Sequence, residues 1–112
     1  MKKIEAIIRP SKVPEVIAAL GKVGHPGLMV TEIEGHGAQC GVETQVRGKT
    51  YKVSLLTKAR LEIVVKDSKV KELIRAIRDA AFTGKVGDGK IFVYPVDNAV
   101  RIRTDEQGEE AV

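Results

Sequence analysis

Residues 4–20 read IEAIIRPSKVPEVIAAL, and residues 61–77 read LEIVVKDSKVKELIRAI. In the first stretch Ile4, Ala6 and Ile8 alternate with Glu5 and Arg9 up to Pro10, the period of a half-buried strand. Val13, Val16, Ile17 and Leu20 then fall on one face of a helix. In the second stretch Leu61, Ile63 and Val65 repeat the strand, and Val70, Leu73, Ile74 and Ile77 repeat the helix face. All seven apolar positions recur at one offset of 57 residues, so the chain contains a β-α-β unit twice.

The flanks supply the ends of each unit. Ser11 is a candidate N-cap with Pro14 in the first turn, and Gly24 with Gly27 closes the first helix. Asp67 or Ser68 is the candidate cap of the second helix, and Thr83 with Gly84 closes it. Leu28 to Glu34 and Ile91 to Val96 are rich in strand formers and complete the two units. Two β-α-β units in series predict an α+β, ferredoxin-like β-α-β-β-α-β sandwich, with four antiparallel strands and both helices on one sheet face. The other face then carries Ile7, Val64 and Phe92 with no helix left to cover them, which points to self-association. Val100 to Arg103 alternates and reads as a short fifth strand at such an interface.

Length fits one domain spanning residues 1–112. The 43% apolar and 30% charged composition reads as globular rather than disordered. No apolar run approaches the ~20 residues of a membrane span, and the charged start lacks a secretory h-region, so a cytoplasmic protein is expected. Cys40 is the single cysteine, which excludes an internal disulfide. A net charge of +4 suits anionic ligands in general. With only 4% aromatics, stacking platforms for single-stranded nucleic acid are missing, and no nucleic-acid partner is expected. No nucleophile–base pair or metal-ligand cluster stands out; His25 and His36 have no evident partners, and an enzyme is not expected.

Two segments exceed a minimal domain of this architecture. The connection from Gly35 to Lys58 is long, polar and punctuated by glycine, the mark of a functional loop. Thr83-Gly84-Lys85-Val86-Gly87-Asp88-Gly89-Lys90 has the G-x-x-x-x-G-K spacing of a phosphate loop, but Ile91 and a strand follow where magnesium-binding Ser or Thr and a helix belong. The composition still favours an anion: three glycines let the backbone come close, and Lys85 and Lys90 add charge. A plain helix-to-strand turn is the alternative for the same residues. Arg101 and Arg103, two apart, would share one side of an extended tail.

In combination these segments are far more specific. Residues 1–10, Val30-Thr31-Glu32, Arg47-Gly48 with Tyr51, Thr83 to Val93, and Arg101 to Thr104 closely resemble the nitrogen-regulatory PII signal-transduction proteins across the whole chain. The resemblance implies a homotrimer that binds ATP or ADP between subunits, senses 2-oxoglutarate, and docks on targets with a long T-loop, here about residues 36–56. Residues 83–90 would be the phosphate-binding B-loop and 97–112 the C-terminal tail. By the same resemblance Met29 and Val64 would hold the adenine, with Gly27 and Leu28 beside them. Gly37, Ala38, Gln39, Gly87, Asp88, Gly89, Lys90, Arg101 and Arg103 would complete the nucleotide site. Gln39 would help hold Mg together with ATP and 2-oxoglutarate, and Lys58 and Gly87 would meet the 2-oxoglutarate. Arg47 would reach into an ammonium transporter, the chain's indirect link to a membrane, and Tyr51 is the position of a modifiable tyrosine. Nitrogen-assimilation enzymes are the other implied targets. The chain departs from the family at Met29, Ala38, Cys40 and Thr57, and the altered T-loop leaves open a specialised paralogue with another target, such as nitrogenase.

Overall fold

A computed structural model describes the backbone of residues 1–36, 42–46, 49–53 and 55–112, and the side chains of residues 1–34 and 57–112. Strand β1 (Lys2–Ile8) leads through a 3₁₀ turn (Pro10–Lys12) into α1 (Val13–Val23) and back into β2 (Met29–His36). A hairpin of β3 (Val42–Val46) and β4 (Lys49–Val53) precedes the long β5 (Leu55–Val65). A second 3₁₀ turn (Asp67–Lys69), α2 (Val70–Ala81) and β6 (Lys90–Pro95) repeat the first pattern. The main sheet runs β2-β5-β1-β6 with every neighbour antiparallel, the ferredoxin-like order expected from the repeat.

Both helices lie on one face. Ile4, Ala6 and Ile8 of β1, and Ala59, Leu61, Ile63 and Val65 of β5, are buried against Val16 and Leu20 of α1 and Leu73, Ile77 and Ala81 of α2. Five pairs at the 57-residue offset are in this core, so the repeat in the sequence is a repeat in the packing. Each large aliphatic side chain buried in this way contributes about 1.5–3 kcal/mol relative to exposure.

The opposite face is half-covered, and its apolar residues are where alternation put them: Glu5 pairs with Phe92, and Ile7 with Arg60 and Lys90. Between them lies an ion network that composition did not announce. Lys3 is 3.2 Å from Glu62 and 3.6 Å from Glu5, and Arg60 Nε is 2.8 Å from Glu62. The Lys3 ammonium also sits 5.4 Å from the centre of the Tyr94 ring, and the bond to Glu62 raises its pKa.

Four expectations are corrected. Neither Ser11 nor Asp67 nor Ser68 caps a helix, because each α-helix is entered through a 3₁₀ turn, with the Lys12 and Lys69 amides bonded to the Arg9 and Lys66 carbonyls. Asp67 instead lies 3.0 Å from the N-terminal ammonium, whose hydrogen bond lowers the Asp67 pKa. The connection between the halves contains regular structure: β2 extends to His36, β5 begins at Leu55, and the β-branched Val42-Glu43-Thr44-Gln45-Val46 pairs with Lys49 to Val53. Val100 to Arg103 is not a strand. Val100 bridges Gln107, the Arg101 amide bonds Glu106, and Asp105 turns the chain with φ of 61°, a conformation that Asp tolerates through local hydrogen bonding. Arg101 and Arg103 therefore do not share a strand face.

Candidate functional site around the glycine loop

The Thr83–Lys90 loop leaves α2 at Phe82, whose extended backbone stops the helix. Gly84, Gly87 and Gly89 take φ of 84°, 106° and 99°, values that side chains oppose. Asp88 is the loop's single carboxylate, and it is used within the chain. It accepts bonds from the Thr83 hydroxyl, the Thr83 amide (2.8 Å) and the Gly84 amide (2.9 Å), and Arg9 Nε donates at 3.2 Å. The Thr83 hydroxyl and amide, followed by Gly84 and Arg9, hold Asp88 well below the usual carboxylate range. Asp88 is therefore an ionised staple that pulls the loop into shape.

Arg9, at the end of β1, completes the staple by donating through its terminal nitrogen to the Val86 carbonyl at 2.8 Å. From β5, Lys58 Nζ donates to the Gly87 carbonyl at 2.6 Å. Partial burial lowers the Lys58 pKa, Arg9 adds to that, and Asp88 opposes it. The loop thus sits among Arg9, Lys58, Lys85 and Lys90 with one carboxylate already spent, an excess of positive charge that suits an anion. On the helix side of the loop is an open cavity of about 300 Å³ with Ile8, Ile77 and Ile91 in its walls. Arg78 lies at its edge, 4.5 Å from the centre of the Phe82 ring.

The structure brings some expected residues together and leaves others apart. Gly87, Asp88, Gly89 and Lys90 form one loop, and Lys58 reaches it from 29 residues away. Met29, 62% exposed on the sheet edge, is registered opposite Glu62, so it shares the half-covered face with Val64 on the adjacent strand. Arg101 is held by Glu106 at 3.4 Å, and no hydrogen bond among the described residues joins Arg101 or Arg103 to the loop. Gly37, Ala38, Gln39 and Arg47 lie outside the described residues, and for Tyr51 only the β4 backbone is described. Arg9 had no role assigned from sequence, and the carboxylate partner of Thr83 was not foreseen; only a contact spanning 79 residues shows what Arg9 does.

The family pattern described as Nitrogen regulatory protein P-II matches residues 1–106. The chain is similar to the Nitrogen regulatory protein P-II of Azospirillum brasilense, 53% identical over 112 residues that cover all of both chains. It is 50% identical to the Nitrogen regulatory protein P-II of Rhodospirillum rubrum, again over the full length of both. A further relative, Nitrogen regulatory protein P-II 2 of Methanothermobacter thermautotrophicus, is 49% identical over all of this chain and 97% of its own.

Proposed function

The chain belongs to the nitrogen regulatory protein P-II family, and from that premise we propose that it is a non-catalytic sensor that binds ATP or ADP and 2-oxoglutarate and passes the result to target proteins. The observation that carries this reading is the stapled glycine loop with Lys58 bonded to the Gly87 carbonyl. In this reading Lys90 and the Gly87–Gly89 backbone hold the nucleotide phosphates, with Asp88 shaping the loop from behind. Met29 and Val64 flank the base on the half-covered face, and Gly37, Ala38 and Gln39 close over the nucleotide. Arg101 and Arg103 act from a neighbouring copy in a homotrimer, which is why nothing within one chain needs to join them to the loop. Self-association also covers Ile7, Val64 and Phe92.

Lys58 is the natural receptor for a 2-oxoglutarate carboxylate, because it is a partly buried cation beside the phosphate loop. Gln39 offers one oxygen to Mg, so nucleotide and keto acid must provide most of the coordination. Two ligands coupled in this way bias the residue 36–56 loop between states, provided each favours one of them. The loop then docks on an ammonium transporter through Arg47, or on a nitrogen-metabolism enzyme, and modification at Tyr51 opposes docking.

Titration calorimetry tests the nucleotide site. ATP and ADP should bind the wild type, and Lys90→Ala or Arg103→Ala should weaken both by about tenfold or more, the scale of a lost charge-assisted contact. Unchanged affinity in both variants removes the site. In the same instrument, 2-oxoglutarate should bind in Mg-ATP and fail to bind in EDTA, and Lys58→Ala should abolish it. Equal binding with and without Mg-ATP rules out the coupled mechanism.

A further inference from the structure

The turn of the C-terminal tail holds one aliphatic side chain wholly in water. Ile102 is 100% exposed, and Val100, two residues before it, is 51% exposed. A lone exposed aliphatic residue is ordinary on a protein surface. Ile102 differs in its support and in its neighbours. The Arg101 amide bonds the Glu106 carbonyl at 2.9 Å, and the Asp105 amide bonds the Arg101 carbonyl at 2.8 Å. The Thr104 hydroxyl donates to Glu106 at 2.7 Å, and Val100 bridges Gln107. The exposure therefore belongs to a bonded turn rather than to a frayed end. On either side of Ile102 stand Arg101, held by Glu106, and Arg103, which forms no ion pair or side-chain hydrogen bond among the described residues.

An apolar seat of matching character lies beside the glycine loop. Ile4, Ala6 and Ile8 of β1 are buried under the helices, so Ile7 belongs to the half-covered face. Strand register places Ile7 opposite Lys90, the last residue of the loop. Phe92, 43% exposed, is the diagonal neighbour of Ile7 on the same face. Consecutive Cα atoms are about 3.8 Å apart. An anchor seated on Ile7 and Phe92 therefore carries the next residue's long side chain to the phosphate loop.

We infer that Ile102 anchors the tail turn on a second copy of this chain, against the face bearing Ile7 and Phe92, and so brings Arg103 to phosphates held at that copy's glycine loop. The occupant is a second copy because Ile102 touches nothing in its own chain and neither arginine beside it bonds its own loop. Ile102 is then a positioning residue that acts through Arg103. The inference rests on the proposed nucleotide site.

Calorimetry on the full-length protein tests it. Ile102→Ser removes no contact within the chain, since the side chain is fully exposed there, so a loss of ATP binding reports contact with another copy. ATP affinity should fall by about tenfold or more, the scale of one buried aliphatic side chain, and Ile102→Val should restore most of it. Co-expressed variants locate the contact. Ile102→Ser copies keep an intact loop and Lys90→Ala copies keep an intact tail, so mixed assemblies should recover part of the ATP sites lost in each alone. Wild-type ATP affinity in Ile102→Ser, or a loss that mixing does not repair, overturns the anchor. Arg103→Ala judges the nucleotide site separately: if that variant loses ATP and Ile102→Ser does not, the site stands and the anchor falls.

Discussion

Gly89→Ala should cost about 3 kcal/mol or more of stability, or displace the loop, and should abolish ATP binding. A Cβ built on Gly89 falls 1.7 Å from the Ile7 carbonyl oxygen and 2.8 Å from its carbon. Those are main-chain atoms of the central strand β1, which is paired on both sides and cannot retreat. The φ of 99° adds its own penalty for any residue with a side chain. Gly84→Ala provides the calibrating comparison. Its φ of 84° is also unfavourable, but its nearest obstacle is the Phe82 ring at 3.4 Å, which can move. That variant should lose only about 1–2 kcal/mol. Urea unfolding and calorimetry on both variants decide the matter. If Gly89→Ala unfolds at the wild-type midpoint and still binds ATP, the close approach of loop and strand is not what positions the site.

Asp88→Ala should lower ATP affinity by about tenfold or more without removing any direct ligand contact proposed for the side chain. The carboxylate gathers two amides, a hydroxyl and a guanidinium. Without it Arg9 loses its charge partner, Thr83 and Gly84 lose their acceptor, and the Gly87–Lys90 backbone is no longer held for a ligand. The Lys58 pKa should fall further, since Asp88 is the group that opposes the effects of burial and Arg9 there. The pH dependence has a definite sign. A carboxylate whose folded pKa lies below its unfolded value stabilises fully above the ordinary value of about 3.9, and loses that contribution as pH falls toward the depressed folded value. The stability gap between wild type and Asp88→Asn should therefore be constant near neutrality and shrink in acid. A gap that stays unchanged from about pH 6 to well below pH 3 would place the effect in packing rather than in the charge.

The two halves of the sheet were legible because their information is local. Ile4, Ala6 and Ile8 alternate within one strand, Val16 and Leu20 share one helix face, and Leu61 to Ile77 repeat both patterns. Helix entry was less legible. A 3₁₀ turn needs no capping side chain, so Ser11 and Asp67 looked like caps and are not. In the tail, the alternation of Val100 and Ile102 suggested a strand, but Asp105 in the left-handed region and Thr104 bonded to Glu106 turn the chain first, leaving Ile102 fully exposed. Among its neighbours, polar local hydrogen bonds decide the backbone over a weak apolar period.

By itself the sequence determined the architecture, the position of the glycine loop and the family, since periodicity, turn residues and motif spacing all act over a few neighbouring positions. Only the tertiary structure decided what the loop's polar groups are for. Asp88 looked like part of a ligand-facing loop, yet Arg9, 79 residues away, and Thr83 claim it as a staple. Lys58 reaches the Gly87 carbonyl because β5 and β6 flank β1, which brings the start of β5 beside the loop that leads into β6. The ion network of Lys3, Glu5, Arg60 and Glu62 likewise exists only because antiparallel register places those residues on one face. The reason is physical: a hydrogen bond or ion pair is chosen by distance in space, and strand pairing sets that distance between residues whose local sequences carry no mark of each other.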